Sequence, residues 1–302
     1  MGELLIVLKK GKKIIVFVLC LCFLFLFPGC TSLFEKLWSS IDYKYIAVPG
    51  GFELTGYTEK GNYDFSQTLE LPSRHNGKDV IGIGSNTFFN SNIVSVILPS
   101  NIQYISSSAF MSCKKLEKVE NKSKNLKKIG SYAFQNCKNL SDFEIPQTVT
   151  FLGDLAFDHT SIKKACLPKN LAKTGFSCFS NSSVQEIELK NSISMVPRET
   201  FKNSNLETLT IPDTIRIIGQ SAFENNKNLS SVILTNGVKF VDKGAFKNCS
   251  KLDEIVIPKS VYFIDETAFK NASSSFKILC PKGSYAEKYA KKNKIKYSNI
   301  KT

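Results

Sequence analysis

One segment recurs nine times along the chain: a phenylalanine preceded by a small residue, at Phe88, Phe110, Phe134, Phe157, Phe179, Phe201, Phe223, Phe246 and Phe269. The gaps are 22 to 24 residues. A fixed period in the twenties makes each repeat one supersecondary unit that buries its apolar side only by stacking on the next, which is a solenoid. Such a chain presents extended faces rather than one deep pocket. The expected function class is therefore surface binding.

The other repeat positions have physical roles. The residue before the Phe is always small, from Thr87 and Ala109 to Ala268. Four residues before the Phe stands a turn former, glycine in five repeats (Gly84, Gly130, Gly153, Gly175, Gly219). A positive φ is expected there. Two residues after the Phe, Asn occupies seven of nine repeats, and Asn is the commonest non-glycine visitor to the left-handed region. The small-Phe segment therefore reads as a short helical turn that Asn terminates. An aliphatic follows five or six residues after the Phe, then two apolar positions spaced by two, such as Val232 and Leu234. Spacing by two is strand periodicity. Pro often closes this strand, and a second apolar pair such as Ile215 and Ile218 precedes the next turn.

The run from Leu206 to Phe223 reads Leu-x-x-Leu-x-Ile-Pro-x-x-Ile-x-x-Ile-Gly-x-x-Ala-Phe. It resembles the BspA-type leucine-rich-repeat surface proteins, over roughly residues 50–290. The resemblance implies a leucine-rich-repeat solenoid, α/β and mainly β, of about nine repeats, and it implies adhesion to a host or neighbouring-cell protein. Residues 43–78 resemble the family's N-terminal β cap, residues 79–276 the solenoid, and residues 277–302 a last strand and a C-terminal helical cap. Ser284 with Glu287 three residues on forms a capping box for that helix. The repeat from Leu116 to Phe134 lacks the Pro and carries Asn121-Lys122-Ser123-Lys124, so an irregular strand is expected there.

Residues 1–29 read as a targeting segment. Four lysines (9, 10, 12 and 13) precede an apolar run from Ile14 to Phe27, too short for an ordinary span, and Gly29-Cys30 follows. This resembles a bacterial lipoprotein signal with Cys30 as the lipidated residue, although Phe27 stands where Leu is usual and Pro28 is atypical. An uncleaved anchor or a plain secretory signal are the alternatives. Each implies export, and the lipoprotein form implies a membrane-anchored protein at the cell surface, on the outer membrane. Residues 30–42 read as a tether.

The full chain carries +14, and removing residues 1–29 leaves +11. This suits anionic partners or simple solubility. No nucleic-acid motif is present, so no specific nucleic-acid partner is expected. Six cysteines follow Cys30, with no Cys-x-x-Cys pair, which argues against a metal site. Cys113, Cys137 and Cys249 share one repeat position and read as small buried hydrophobes. Cys113 and Cys137 belong to adjacent repeats, so a disulfide between them is open. His75 and His159 lie about four repeats apart, and no nucleophile elbow, P-loop or His-Glu-x-x-His motif occurs. Neither an enzyme nor a cofactor is expected.

Between the two inward residues of each strand lies one that faces solvent. In order these are Ile97, Glu120, Glu144, Cys166, Glu188, Thr210, Ile233, Val256 and Leu279, with neighbours about 4.8 Å apart. The middle is acidic and the C-terminal third aliphatic. Ile233, Val256 and Leu279, flanked by Glu188 and the more distant Glu144, are the candidate contact patch for a partner protein. The competing readings are an envelope scaffold that never meets a host, and electrostatic binding of acidic glycans.

Overall fold

A computed structural model describes residues 40–60, 65–66, 68–189 and 193–301. The targeting segment, Cys30 and most of the tether lie outside them. The chain divides into two compact units, residues 1–43 with 57–64, and residues 44–56 with 65–302. Described residues of the first belong to the ends of two strands, Ser40–Val48 and Gly51–Lys60. The first of these strands begins inside the stretch assigned to the tether.

In the second unit, alternation sets the long strands. In Thr208–Ile211 and Ser231–Leu234 the second and fourth residues are buried while the others lie at or near the surface. Each pairs in parallel with the equivalent strand one repeat on, Leu209 beside Val232 and Val232 beside Ile255. Two-residue strands such as Ile217–Ile218 and Phe240–Val241 build a second parallel ladder. The architecture is mainly β, and the one α-helix among the described residues is Tyr285–Lys292.

The small-Phe segments are not helical turns. A helix would direct its N–H groups back along its own chain. Here the Phe110 N–H donates to the Ala133 carbonyl of the next repeat, as Phe134 does to Ala156 and Phe246 to Ala268, all at 2.8 Å. The segments are tight turns that form a third inter-repeat ladder. Within it the nine rings stack, with centroids 5.0–5.7 Å apart and planes within 12° of parallel. The preceding residue is small because it lies in the same dry layer; Ala109, Ala133 and Ala156 are fully buried.

The left-handed residues are only partly where the sequence suggests. Asn two after the Phe is left-handed, from Asn90 (φ 56°) to Asn271 (φ 59°). The glycines four before it are not. They are required because adjacent turns nearly touch: a Cβ on Gly153 would lie 2.2 Å from the Ser131 nitrogen, and one on Gly175 2.3 Å from the Asp154 nitrogen. The second left-handed position is two before the Phe, at Ser108, Tyr132, Leu155, Ser177 and Glu199 among others. Those residue types carry no common signal. Gly153→Ala is expected to cost about 2–3 kcal/mol by forcing two backbones apart, read by urea unfolding. An unchanged midpoint would contradict the close approach.

The expected irregularity falls one repeat late. Lys118–Asn121 is a regular four-residue strand. In place of Pro, the Asn121 side chain accepts from the Ser123 N–H, and the Ser123 hydroxyl donates to the Ile102 carbonyl. The next repeat keeps only a lone bridge between Lys118 and Asp142. There Phe143 fills the inward position and tilts against Phe134 and Phe157. Its bulk is offset by Ala165 at the same position of the following repeat.

No disulfide joins Cys113 and Cys137; both are buried free thiols. Their column is more than apolar filling. Cys113 donates to the Phe88 carbonyl (2.9 Å), Cys137 to Phe110 (3.0 Å), and Asn226 in the same column to Phe201 (2.7 Å). Burial pushes the Cys249 thiol up to about 12, so it stays protonated and inert.

Both ends are closed. Gly51–Lys60 runs parallel to Lys78–Ile83, with Leu54 beside Ile83 and fully buried. At the other end Ser284 caps the helix by accepting from the Glu287 N–H (3.2 Å). Glu287 takes the Gly283 N–H rather than that of Ser284. Tyr289 places its ring edge against Phe269, ending the stack. The strand Lys296–Asn299 then adds a last rung to the long ladder beside Lys277–Cys280.

Candidate protein-binding face

The outward column of the long strands is set by register. Thr210 pairs with Ile233, Ile233 with Val256, Val256 with Leu279, and Leu279 with Ser298. Ile233, Val256 and Leu279 are thus successive rungs of one five-stranded sheet. Ile233 is 46% exposed, while Val256 and Leu279 are half-buried by their neighbours. The column starts earlier than the sequence reading placed it, because Thr68–Glu70 pairs with Ser95–Leu98 and sets Glu70 beside Ile97.

The two flanking acids stand apart from this patch. Glu188 lies in a separate two-stranded piece, opposite Cys166, whose thiol donates to its carboxylate at 3.0 Å. Glu144 sits outside any strand, in a shallow depression of about 410 Å³ lined by Lys118, Glu120, Asn121, Asp142 and Pro146. Ion pairs dress the neighbouring column: Lys118 to Asp142 at 3.2 Å and Lys277 to Glu254 at 3.7 Å. All four side chains are 40–66% exposed, so these pairs add little stability and leave the charges available to a partner. The face offers an aliphatic strip with a charged surround. Among the described residues no cluster of His, Cys, Asp and Glu could hold a metal.

A second face escaped the sequence reading. Six residues before each Phe from Phe110 onward the short strands present Tyr104, Lys128, Phe151, Lys173, Met195, Ile217, Phe240 and Phe263 in succession. The signal was the period itself, read at a position where residue type changes from repeat to repeat. Met195 and Phe263 are exposed, and Tyr262 stands edge-on to Phe240 at 4.7 Å.

Three solved structures are similar to this chain. A leucine-rich repeat protein from Bacteroides ovatus is 18% identical, with 86% of this chain and 98% of that one covered and a TM-score of 0.47. One from Eubacterium ventriosum is 21% identical over 80% and 72%, with a TM-score of 0.49. The T. pallidum leucine rich repeat protein is 21% identical over 85% and 95%, with a TM-score of 0.41. No curated protein matches the chain. The family model described as the BspA type leucine rich repeat region matches residues 58–184 and 156–277, in six copies. With its Phe stack, parallel ladders and closed ends, the chain belongs to the BspA-type leucine-rich-repeat family.

Proposed function

We propose that this chain is an exported, lipid-anchored surface protein that binds another protein through its long-strand face and acts as an adhesin. The observation that carries the reading is the run Ile233, Val256 and Leu279: three consecutive outward rungs are aliphatic, where the same column elsewhere carries Glu, Thr, Cys or Ser and one isolated aliphatic, Ile97. Outward aliphatic residues in a row gain nothing for the core. They gain free energy when a partner removes them from water, at about 25 cal/mol per Å². Glu188 and the more distant Glu144 would set orientation rather than affinity. The leader and Cys30 support export and anchoring, and a tether from Thr31 would hold the repeats clear of the membrane.

Two measurements test the reading. Protease applied to intact cells should remove the repeats; survival until lysis would instead indicate an envelope scaffold. Ile233→Lys with Val256→Lys should abolish adhesion of expressing cells to a panel of matrix and cell-surface proteins. The unfolding midpoint should move little, because neither side chain is in the core and strand preferences span about 1 kcal/mol. Undiminished adhesion would overturn the assignment of the face.

A further inference from the structure

Charge is segregated between the two faces. From Thr68 to Leu279 the outward columns of the long strands carry seven carboxylates against three lysines. The short-strand face, taken as each strand's first residue and the one before it from Gln103 to Phe263, carries Lys127, Lys128, Lys173, Arg216 and Lys239, with no Asp or Glu. Cations lined along one ladder, with no acid among these residues, make an electrostatic track.

The N-terminal half of the track is ordered by a ring. Tyr104 pairs with Lys128, Lys128 with Phe151, and Phe151 with Lys173. The Lys128 and Lys173 ammoniums lie over the Phe151 ring, 5.5 and 5.7 Å from its centre. A cation–π contact at each holds two long side chains that would otherwise sample many rotamers, so less entropy is lost when an anion arrives. On the N-terminal side of this half, Glu53 is engaged by the Tyr104 hydroxyl, whose pKa is pushed up to about 12 by burial and by that hydrogen bond.

We propose that Lys128, Phe151 and Lys173 form a binding site for an acidic polysaccharide in which charged and neutral sugars alternate. The two ammoniums belong to strands two rungs apart, about 10 Å. That spacing suits a polymer with one carboxylate in every second sugar, the neutral sugar lying against the Phe151 edge between them. A nucleic acid carries charge far more densely, about one per 3.4 Å of strand, and would need its bases on ring faces that the lysines already cover. The site is independent of the protein-binding face.

The test is fluorescence polarisation with labelled hyaluronan oligosaccharide and the full-length chain in non-ionic detergent. The wild type should bind, carboxyl-reduced hyaluronan should not, and binding should weaken with salt. Lys128→Gln with Lys173→Gln should lower affinity by about tenfold, with an unchanged unfolding midpoint. Phe151→Leu should weaken it by about threefold through the freed ammoniums. Ile233→Lys with Val256→Lys should leave it intact, separating this site from the adhesion face. Absence of wild-type binding, equal binding of the reduced polymer, tighter binding of oligo-dT, or full affinity in the double glutamine variant would each overturn the proposal.

Discussion

Phe179→Ala is expected to lower the unfolding free energy by about 3–5 kcal/mol. The ring is fully buried and stacked between Phe157 at 5.2 Å and Phe201 at 5.5 Å. Removing it opens a cavity in the middle of the stack, where the backbone cannot collapse. The Phe179 N–H is tied to Thr200 on one side, and its carbonyl receives the hydroxyls of Ser182 and Ser204. In a repeat protein stability is roughly a sum of units and nearest-neighbour interfaces, so the cut weakens coupling between the two halves. Urea unfolding should show a lower midpoint and a broader or two-step transition. Phe269→Ala should cost less, because Tyr289 and Phe276 border that ring and it keeps slight solvent contact. Equal costs at both positions would contradict the stack as a cooperative element.

Asp158→Ala is the second large effect, at about 3 kcal/mol or more. Asp158 is 2% exposed and accepts from Ser180 (2.6 Å), Asn181 (2.9 Å), Gln135 (3.0 Å) and the His159 ring (2.9 Å). It also ends a directed chain of side-chain amides. Asn271 donates to Asn248, Asn248 to Asn225, Asn225 to Asn203, Asn203 to Asn181, and Asn181 to Asp158. A carboxylate is acceptor-only when ionised, so it suits the receiving end of such a chain. Burial pushes the Asp158 pKa up, but the hydrogen bonds from Ser180, Asn181, Gln135 and His159 outweigh it and hold the group below its ordinary 3.8. A depressed folded pKa gives stabilisation that is fully present above about 3.8. That stabilisation is lost as pH falls through the lower folded value. The wild type should therefore lose stability at that acid edge, while Asp158→Asn, with no charge to lose, should show a flatter acid limb. Parallel acid limbs would contradict a charged Asp158.

The repeat itself was legible because period, small residue, Phe and Asn each answer to one physical demand: stacking, a dry layer, a filled core and a left-handed turn. The Asn chain was half legible. Its left-handed backbone followed from residue type, but the side-chain bonding between repeats needed the register. His159 shows why: at the Asn position of its repeat it reads as a turn residue, and it is one (φ 56°), yet it also bonds the buried acid next to it. Glycine misled, because five glycines at one position invite a conformational explanation. The demand is steric instead, a backbone-to-backbone approach no single repeat reveals. Phe143 and Ala165 were opaque for a related reason: a large residue in one coil is compensated by a small one in the next. The outward column of the candidate site followed from strand alternation. The break that separates Glu188 from Thr210 did not, nor did the second face, whose composition changes from aromatic-basic through Met195 and Ile217 to aromatic along its length.

The most direct test of surface binding by the long-strand face is site-specific photo-crosslinking on intact cells. A photoreactive residue at position 233 or 256 should yield a defined adduct with a protein partner. The same group at exposed Gln220, on a different face, should yield none. Absence of adducts from 233 and 256, or the same adduct from all three positions, would contradict the account.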